Sequence, residues 1–135
     1  MSEAEDLVRR MLDTHNESAD GVVDAFDDLF APDVEWRPII VGTAGSEQVT
    51  YRGREGLERY YRDRAEVFGG GEVHIRSLES VGDAVVVQAR STARGRASGA
   101  SVEEDVSLVY WCRDGRIVRG AAFRTHGDAL EAARA

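Results

Sequence analysis

The chain has 135 residues, 42% of them hydrophobic and 31% charged, and these values predict one globular domain that spans residues 1–135. The net charge of −8 repels phosphate groups, so neither a nucleic-acid partner nor an anionic membrane surface is expected. All 17 basic residues are arginine, which excludes Schiff-base chemistry on a lysine and a Walker-type phosphate loop.

The first half of the chain carries mainly helical patterns. Apolar residues at helical spacing predict an amphipathic helix over about 3–16. A second helix, capped by Asp20, is expected to stop at Pro32, because proline cannot continue a helix. A third helix is predicted over about 54–67, and the glycine run at 69–71 ends the helical part.

The strand patterns begin with a short alternating segment at 34–37, which Pro38 ends or confines to a sheet edge. Residues 39–50 are predicted to form a loop. Alternating and valine-rich runs then predict four strands, at about 73–76, 84–93, 102–113 and 116–125. A short terminal helix is expected over 128–135. Together these elements predict an α+β fold with helices on one face of a curved sheet.

The dipeptide Asp114-Gly115 is the strongest hairpin motif in the chain, and a two-residue turn there would fix the register of the last two strands. Cross-strand partners share a face of the sheet. The face expected to meet the helices would carry Cys112/Ile117, Tyr110/Arg119, Leu108/Ala121, Val106/Phe123 and Glu104/Thr125. The opposite face would carry an apolar patch, expected to form a homodimer contact, and a salt bridge: Trp111, Val109 and Val118, and the pair Asp105 and Arg124. A bulge in either strand would move every assignment beyond it by one residue.

Several kinds of site are not expected. Cys112 is the only cysteine, and the three histidines show no metal-ligand spacing, so we expect neither a metal site nor a cofactor. No apolar run approaches the ~20 residues of a membrane span. The N-terminus is acidic where a signal peptide would be basic, which predicts a soluble cytoplasmic protein.

Aromatic residues from several predicted elements are expected to converge on one interior: Trp36, Tyr51, Tyr60, Tyr61, Tyr110 and Phe123. Buried tyrosine hydroxyls need hydrogen-bond partners, so this set and Arg119 predict a partly polar ligand-binding cavity rather than a dry core. A buried arginine charge in turn requires a carboxylate partner or an anionic or carbonyl-bearing ligand.

Five short segments form a series along nearly the whole chain, at 29–36, 51–57, 81–87, 113–119 and 129–133. In this order they resemble the SnoaL-like family of the nuclear transport factor 2-like superfamily. The resemblance implies a conical, cystatin-like α+β barrel in which a strongly bent mixed sheet wraps around about three helices and encloses a pocket, often in a homodimer.

Relatives in this superfamily include polyketide cyclases, ketosteroid isomerases, dehydratases, epoxide hydrolases and non-catalytic binding modules, so the fold alone does not settle the activity. Their catalytic residues do not carry over to this sequence. Arg37 stands where isomerase-like members have a general-base carboxylate, and Leu108 and Thr125 stand at the cyclase-like positions.

Glu35 and Glu104 remain as candidate catalytic carboxylates, because burial among aromatic rings would raise the pKa of a carboxyl group. One hypothesis is a cofactor-free proton-transfer enzyme of isomerase, cyclase, dehydratase or hydrolase type, acting on a small apolar or carbonyl-bearing organic molecule. The alternative is a non-catalytic homodimeric module that binds a ligand or a partner. A cavity above ~300 Å³ with a carboxylate or imidazole beside tyrosines would favour the enzyme.

Overall fold

The computed structural model describes residues 2–39 and 49–135, so most of the loop predicted at 39–50 lies outside the described residues. The described part of the chain contains five helices, namely α1 (Glu3–Glu17), α2 (Ala19–Asp24), α3 (Phe26–Leu29), α4 (Gly53–Val67) and α5 (His126–Arg134). Its six strands are β1 (Phe30–Arg37), β2 (Tyr51–Arg52), β3 (Phe68–Val81), β4 (Ala84–Gly95), β5 (Ser101–Arg113) and β6 (Arg116–Phe123).

Helix α1 follows its sequence pattern closely. The Ser2 side chain accepts a hydrogen bond from the backbone N–H of Glu5 at 3.1 Å, which caps the first turn. One stripe of the helix is buried and consists of Leu7, Val8, Met11 and Leu12. Within the described residues, no helix combines the length and the apolar character that crossing a bilayer requires.

The second predicted helix is in fact two short helices, and its predicted limits are wrong. Ser18 caps α2 in place of Asp20, because its side chain accepts a hydrogen bond from the backbone N–H of Gly21. The helix breaks at Ala25, and α3 ends before Pro32, which lies inside β1. Pro32 therefore does not terminate a helix in this fold.

The six strands form one sheet in the order β2-β1-β6-β5-β4-β3. Strands β1 and β6 run parallel, and the other neighbours are antiparallel, so the sheet is mixed. It curls around α1 and α4, and the main hydrophobic core lies between these helices and its inner face. The predicted α+β fold with a bent mixed sheet is confirmed.

The predicted hairpin turn is present, but the register derived from it is wrong beyond its first two residue pairs. Asp114 and Gly115 have φ values of 53° and 74°, as a type I′ turn requires, and Cys112 pairs with Ile117. The next pair joins Trp111 to Arg119, so Val118 is the extra residue of a β-bulge. Every later residue of β6 consequently changes face.

Because of this bulge, two predicted site residues lie on the outer face of the sheet instead of the inner face. Tyr110 now pairs with Gly120 rather than with Arg119, and Phe123 pairs with Ser107 on the outer face. Arg119 is exposed and stacks on the ring of Trp111, with its Cζ 3.8 Å from the ring centroid. The predicted inward positions of Arg119 and Phe123 are therefore wrong.

Helix α5 covers the apolar part of the outer face that the sequence suggested for a homodimer contact. Val109 is 0% exposed and belongs to a second core cluster together with Ala129 of α5. Trp111 and Phe123 pack against the same cluster. The homodimer stays a prediction, but this patch gives it little support, because α5 covers Val109 and Trp111 packs against the same cluster.

Candidate functional site

A cavity of about 120 Å³ lies between α1, α4 and the inner face of the sheet. It is lined by five of the seven residues predicted to bind a ligand and by both predicted carboxylates: Trp36, Tyr51, Tyr60, Tyr61, Tyr110, Glu35 and Glu104. The remaining two, Arg119 and Phe123, lie on the other side of the sheet and do not line it. The structure thus brings together the aromatic residues that the sequence analysis grouped, apart from Phe123.

The aromatic wall of the cavity is continuous. Trp36 and Tyr110 are nearly parallel, at an interplanar angle of 8° and a centroid distance of 6.0 Å. Tyr60 contacts the edge of Trp36 at 5.8 Å and also packs on Tyr51 and Tyr61, at 5.4 and 5.1 Å. These rings present an apolar surface with few polar atoms, as small-molecule sites commonly do.

Gly120 allows Trp36 and Tyr110 to approach each other across the sheet. A Cβ atom at Gly120 would lie 2.9 Å from Trp36 Cε3 and 2.9 Å from Tyr110 Cδ1. Both distances are too short for carbon atoms, so any side chain here would displace the two rings. The bulge at Val118 therefore places a glycine, rather than an arginine, against the aromatic wall.

His15 is a site residue that the sequence analysis missed. Its Nδ1 lies 2.9 Å from Tyr61 Oη, and the two groups share a hydrogen bond. Burial, reinforced by the positive charge of Arg64, lowers the pKa of His15 to about 4, so the imidazole is neutral at pH 7. Burial also raises the pKa of Tyr61, which keeps its phenol protonated.

The position of His15 could have been inferred from helical spacing, because it follows Val8 and Met11 on the buried stripe of α1. The next residue fixes this end of the helix to the sheet. The Asn16 side chain donates to Val73 O at 2.9 Å and accepts from Val73 N at 2.7 Å. His15 is therefore held on rigid elements beside the cavity.

Two buried nitrogen atoms of cavity-lining residues have no hydrogen-bond partner in the part of the chain that the structure describes. They are Nε2 of His15 and Nε1 of Trp36. The indole N–H can only donate a hydrogen bond, whereas the role of the imidazole nitrogen depends on its tautomer. Such unsatisfied groups are rare in protein interiors, and a role in binding or catalysis is one explanation for them.

Each predicted catalytic carboxylate forms an ion pair with an arginine. Glu35 lies 2.6 Å from Arg52 across the β1–β2 pair, and Glu104 lies 3.3 Å from Arg124. The predicted bridge between Asp105 and Arg124 is wrong, because Asp105 instead contacts Arg90, at 3.1 Å. Both glutamates therefore have an oppositely charged partner, and their catalytic role stays a prediction.

The volume of the cavity limits what it can hold. It is smaller than the ~300 Å³ at which pockets for drug-sized ligands begin, and an engineered cavity of about 150 Å³ binds benzene. A molecule of about one small ring or less is therefore the appropriate size for the space shown. Across residues 2–39 and 49–135, no group of three or more histidine, cysteine, aspartate or glutamate side chains is arranged to hold a metal ion.

Comparison with known proteins gives one family match and many similar folds. A family model described as a SnoaL-like domain matches residues 8–120. No functionally curated protein matches the sequence significantly.

Three solved structures illustrate the likeness in fold. An NTF2-like protein of unknown function from Burkholderia pseudomallei K96243 is 19% identical, with a TM-score of 0.76 and 100% of both chains covered. A candidate SnoaL-like polyketide cyclase from Jannaschia sp. CCS1 is 21% identical, with a TM-score of 0.74, and the match covers 98% of this chain and 92% of that one. A protein with a ketosteroid isomerase-like fold from Catenulispora acidiphila DSM 44928, solved with trimethylamine, is 14% identical, with a TM-score of 0.72 and coverage of 93% and 89%.

Proposed function

Since the chain belongs to the SnoaL-like domain family, we propose that it uses its central cavity to bind a small organic molecule with an apolar body and at least one hydrogen-bond acceptor. The observation that carries this proposal is the combination, around one cavity, of a continuous aromatic wall with two buried nitrogen atoms that lack partners among the described residues. An apolar ligand body gains from contact with the rings, and an acceptor oxygen satisfies the Trp36 N–H.

The protonation states favour binding over general-base catalysis. A catalytic acid or base works best when its pKa is near the working pH. Here the pKa of His15 is about 4, and burial raises the pKa values of Tyr61 and Tyr110 above that of free tyrosine. The cavity therefore offers neutral hydrogen-bonding groups at pH 7, which suit recognition of a polar group on a ligand.

Binding is tested by fluorescence of Trp36, which lines the cavity. Trp111, the other tryptophan, lies on the outer face, so a Trp111→Phe background leaves Trp36 as the sole indole reporter. A panel of small carbonyl compounds and apolar fragments should shift or quench this emission, and native mass spectrometry should detect any co-purified molecule of the same size.

The control for this test fills the cavity. Ala122 lines the cavity, and Ala122→Leu should abolish the fluorescence response. Val118→Leu, which enlarges the bulge residue outside the cavity lining, should leave the response unchanged. A panel without any responding compound, or an equal response from Ala122→Leu, would refute binding in this cavity.

Proton transfer is the second candidate function, and the His15–Tyr61 hydrogen bond favours it. When His15 Nδ1–H donates to Tyr61, Nε2 is left as an acceptor that can take a proton from a carbon next to a carbonyl group. A polar ligand that stabilises the imidazolium would raise the pKa of His15 toward neutrality. Only a proton moves in such a step.

The two candidates differ in one measurable property. Carbonyl fragments that bind are incubated with the protein in D₂O, and NMR follows deuterium uptake at the carbon next to the carbonyl. An enzyme exchanges this position faster than buffer does, and His15→Asn and Tyr61→Phe abolish the difference. Binding without any such exchange would leave ligand recognition as the function.

A further inference from the structure

We propose that Arg64 anchors the carboxylate of a small anionic ligand whose apolar part rests against the aromatic wall. This inference rests on the proposed binding function and names the ligand class, a short-chain organic carboxylate. The anchor lies at what we call the polar end of the cavity, which consists of His15, Tyr61, Arg64, Ser91 and Glu104.

The polar end is a contiguous part of the fold. Ser91 pairs with Glu104 between β4 and β5, and with Val73 between β3 and β4. Asn16, the neighbour of His15, forms two hydrogen bonds with Val73, so the end of α1 lies beside these strands. Arg64, from the last turn of α4, lines the same cavity and lies close enough to His15 to lower the pKa of its imidazole.

Among the charged residues that line the cavity, Arg64 is the one without an oppositely charged partner in the part of the chain that the structure describes. Glu35 and Glu104 are each paired with their own arginine, and His15 is neutral at pH 7. No carboxylate of residues 2–39 or 49–135 lies within ion-pair distance of the Arg64 guanidinium. A guanidinium suits a carboxylate because its parallel N–H groups match the two oxygens.

The hydrogen-bonding groups agree with an anionic ligand. The Arg64 guanidinium can donate hydrogen bonds but cannot accept them, and the same is true of the unpartnered Nε1–H of Trp36. A ligand with acceptor oxygens can pair with the Arg64 guanidinium, whereas an ammonium ligand cannot. The aromatic wall next to them accommodates a short apolar chain.

Arg64 also has contacts that would suit a purely structural residue. Its Cζ lies 5.6 Å from the ring centroid of Phe68, and its charge is favourable in the last turn of a helix. These contacts explain an effect on stability but not a preference for the charge of a ligand. The preference is therefore the property to measure.

Gly71 provides a second way to test the anchor without removing its charge. A Cβ atom at Gly71 would lie 2.6 Å from Arg64 Nη2 and 3.1 Å from the backbone oxygen of Thr92, so Gly71→Ala forces the guanidinium to move and also crowds the neighbouring strand. A Cβ at Gly69, in the same glycine run, meets only ordinary contacts at 3.8 Å or more. Gly69→Ala is thus the matched control for Gly71→Ala, and Arg62→Gln, an exposed arginine on α4, is the control for Arg64→Gln.

The experiment compares three probes of nearly the same shape, isobutyrate, isobutyramide and isobutylamine, at pH 7. Their affinities are measured by Trp36 fluorescence in the Trp111→Phe background and by ligand-observed NMR, and the melting temperature is recorded for each variant. We expect isobutyrate to bind about 10- to 100-fold more tightly than isobutyramide, which is the range of a charge-assisted hydrogen bond. Arg64→Gln should remove this preference, and Gly71→Ala should reduce it, while both controls keep it.

The outcomes separate this inference from the proposed function. If isobutyramide binds as tightly as isobutyrate, the anchor is refuted while binding in the cavity stands. A preference for isobutylamine refutes it in favour of a cationic ligand. If Arg64→Gln lowers only the melting temperature and keeps the preference for isobutyrate, the residue is structural and the inference is wrong. Absence of binding by all three probes refutes it as well, and the fragment panel then decides the proposed function separately.

Discussion

The partly buried imidazole of His15 makes the stability of the fold depend on pH in a way that can be calculated. Its pKa is 6.5 in an unfolded chain and about 4 in the folded one. Between these values the unfolded chain binds a proton that the folded chain does not, so the free energy of unfolding falls as the pH drops. The difference corresponds to at most about 3 kcal/mol, lost mostly between about pH 6.5 and pH 4.

Urea denaturation at a series of pH values from 7 to 4 measures this loss, and NMR titration of the imidazole measures the pKa directly. His15→Asn removes the titrating group and keeps a polar atom near the position of Nδ1. The variant should lose less stability than the wild type over this range, by about 2–3 kcal/mol. His74→Asn, a change at an exposed histidine of β3, is the control and should follow the wild type. Parallel curves for His15→Asn and the wild type would refute the burial of a neutral imidazole at this position.

Three further predictions concern the parts of the fold that place the site. Gly115→Val should lower the free energy of unfolding by more than ~1 kcal/mol, because a β-branched residue is strained at its φ of 74°, and an unchanged melting temperature would contradict the turn. Gly120→Ala should cost about 1–3 kcal/mol and change the emission of Trp36, since the added Cβ overlaps two rings; a neutral effect on both would mean that the rings do not meet there. Deletion of residues 126–135 should expose Val109 and the rest of the outer cluster, so light scattering should detect self-association, and a stable monomeric product would contradict the role of α5.

Local patterns predicted most of the fold. The stripe from Leu7 to Leu12, the limits of α4 and the turn at Asp114-Gly115 depend on residues close together in the chain, and all three agree with the structure. The second helix failed because its pattern did not distinguish a helix interior from the start of a strand at Phe30. There the pairing of β1 with β6, a long-range contact, decides the conformation.

The sequence predicted most of the aromatic residues of the site, but it did not predict every residue that lines the site. The sequence by itself predicted that tyrosines and Trp36 from separate elements share one interior, because alternation and helical spacing assign most of them to an inward face. Only the tertiary structure decided that Arg119 and Phe123 face outward, since a single bulge residue reverses every face beyond it and leaves no local pattern. Only the tertiary structure joined His15 to Tyr61 and placed Arg64 beside them, because packing of α1 and α4 against the sheet brings together residues 46 positions apart.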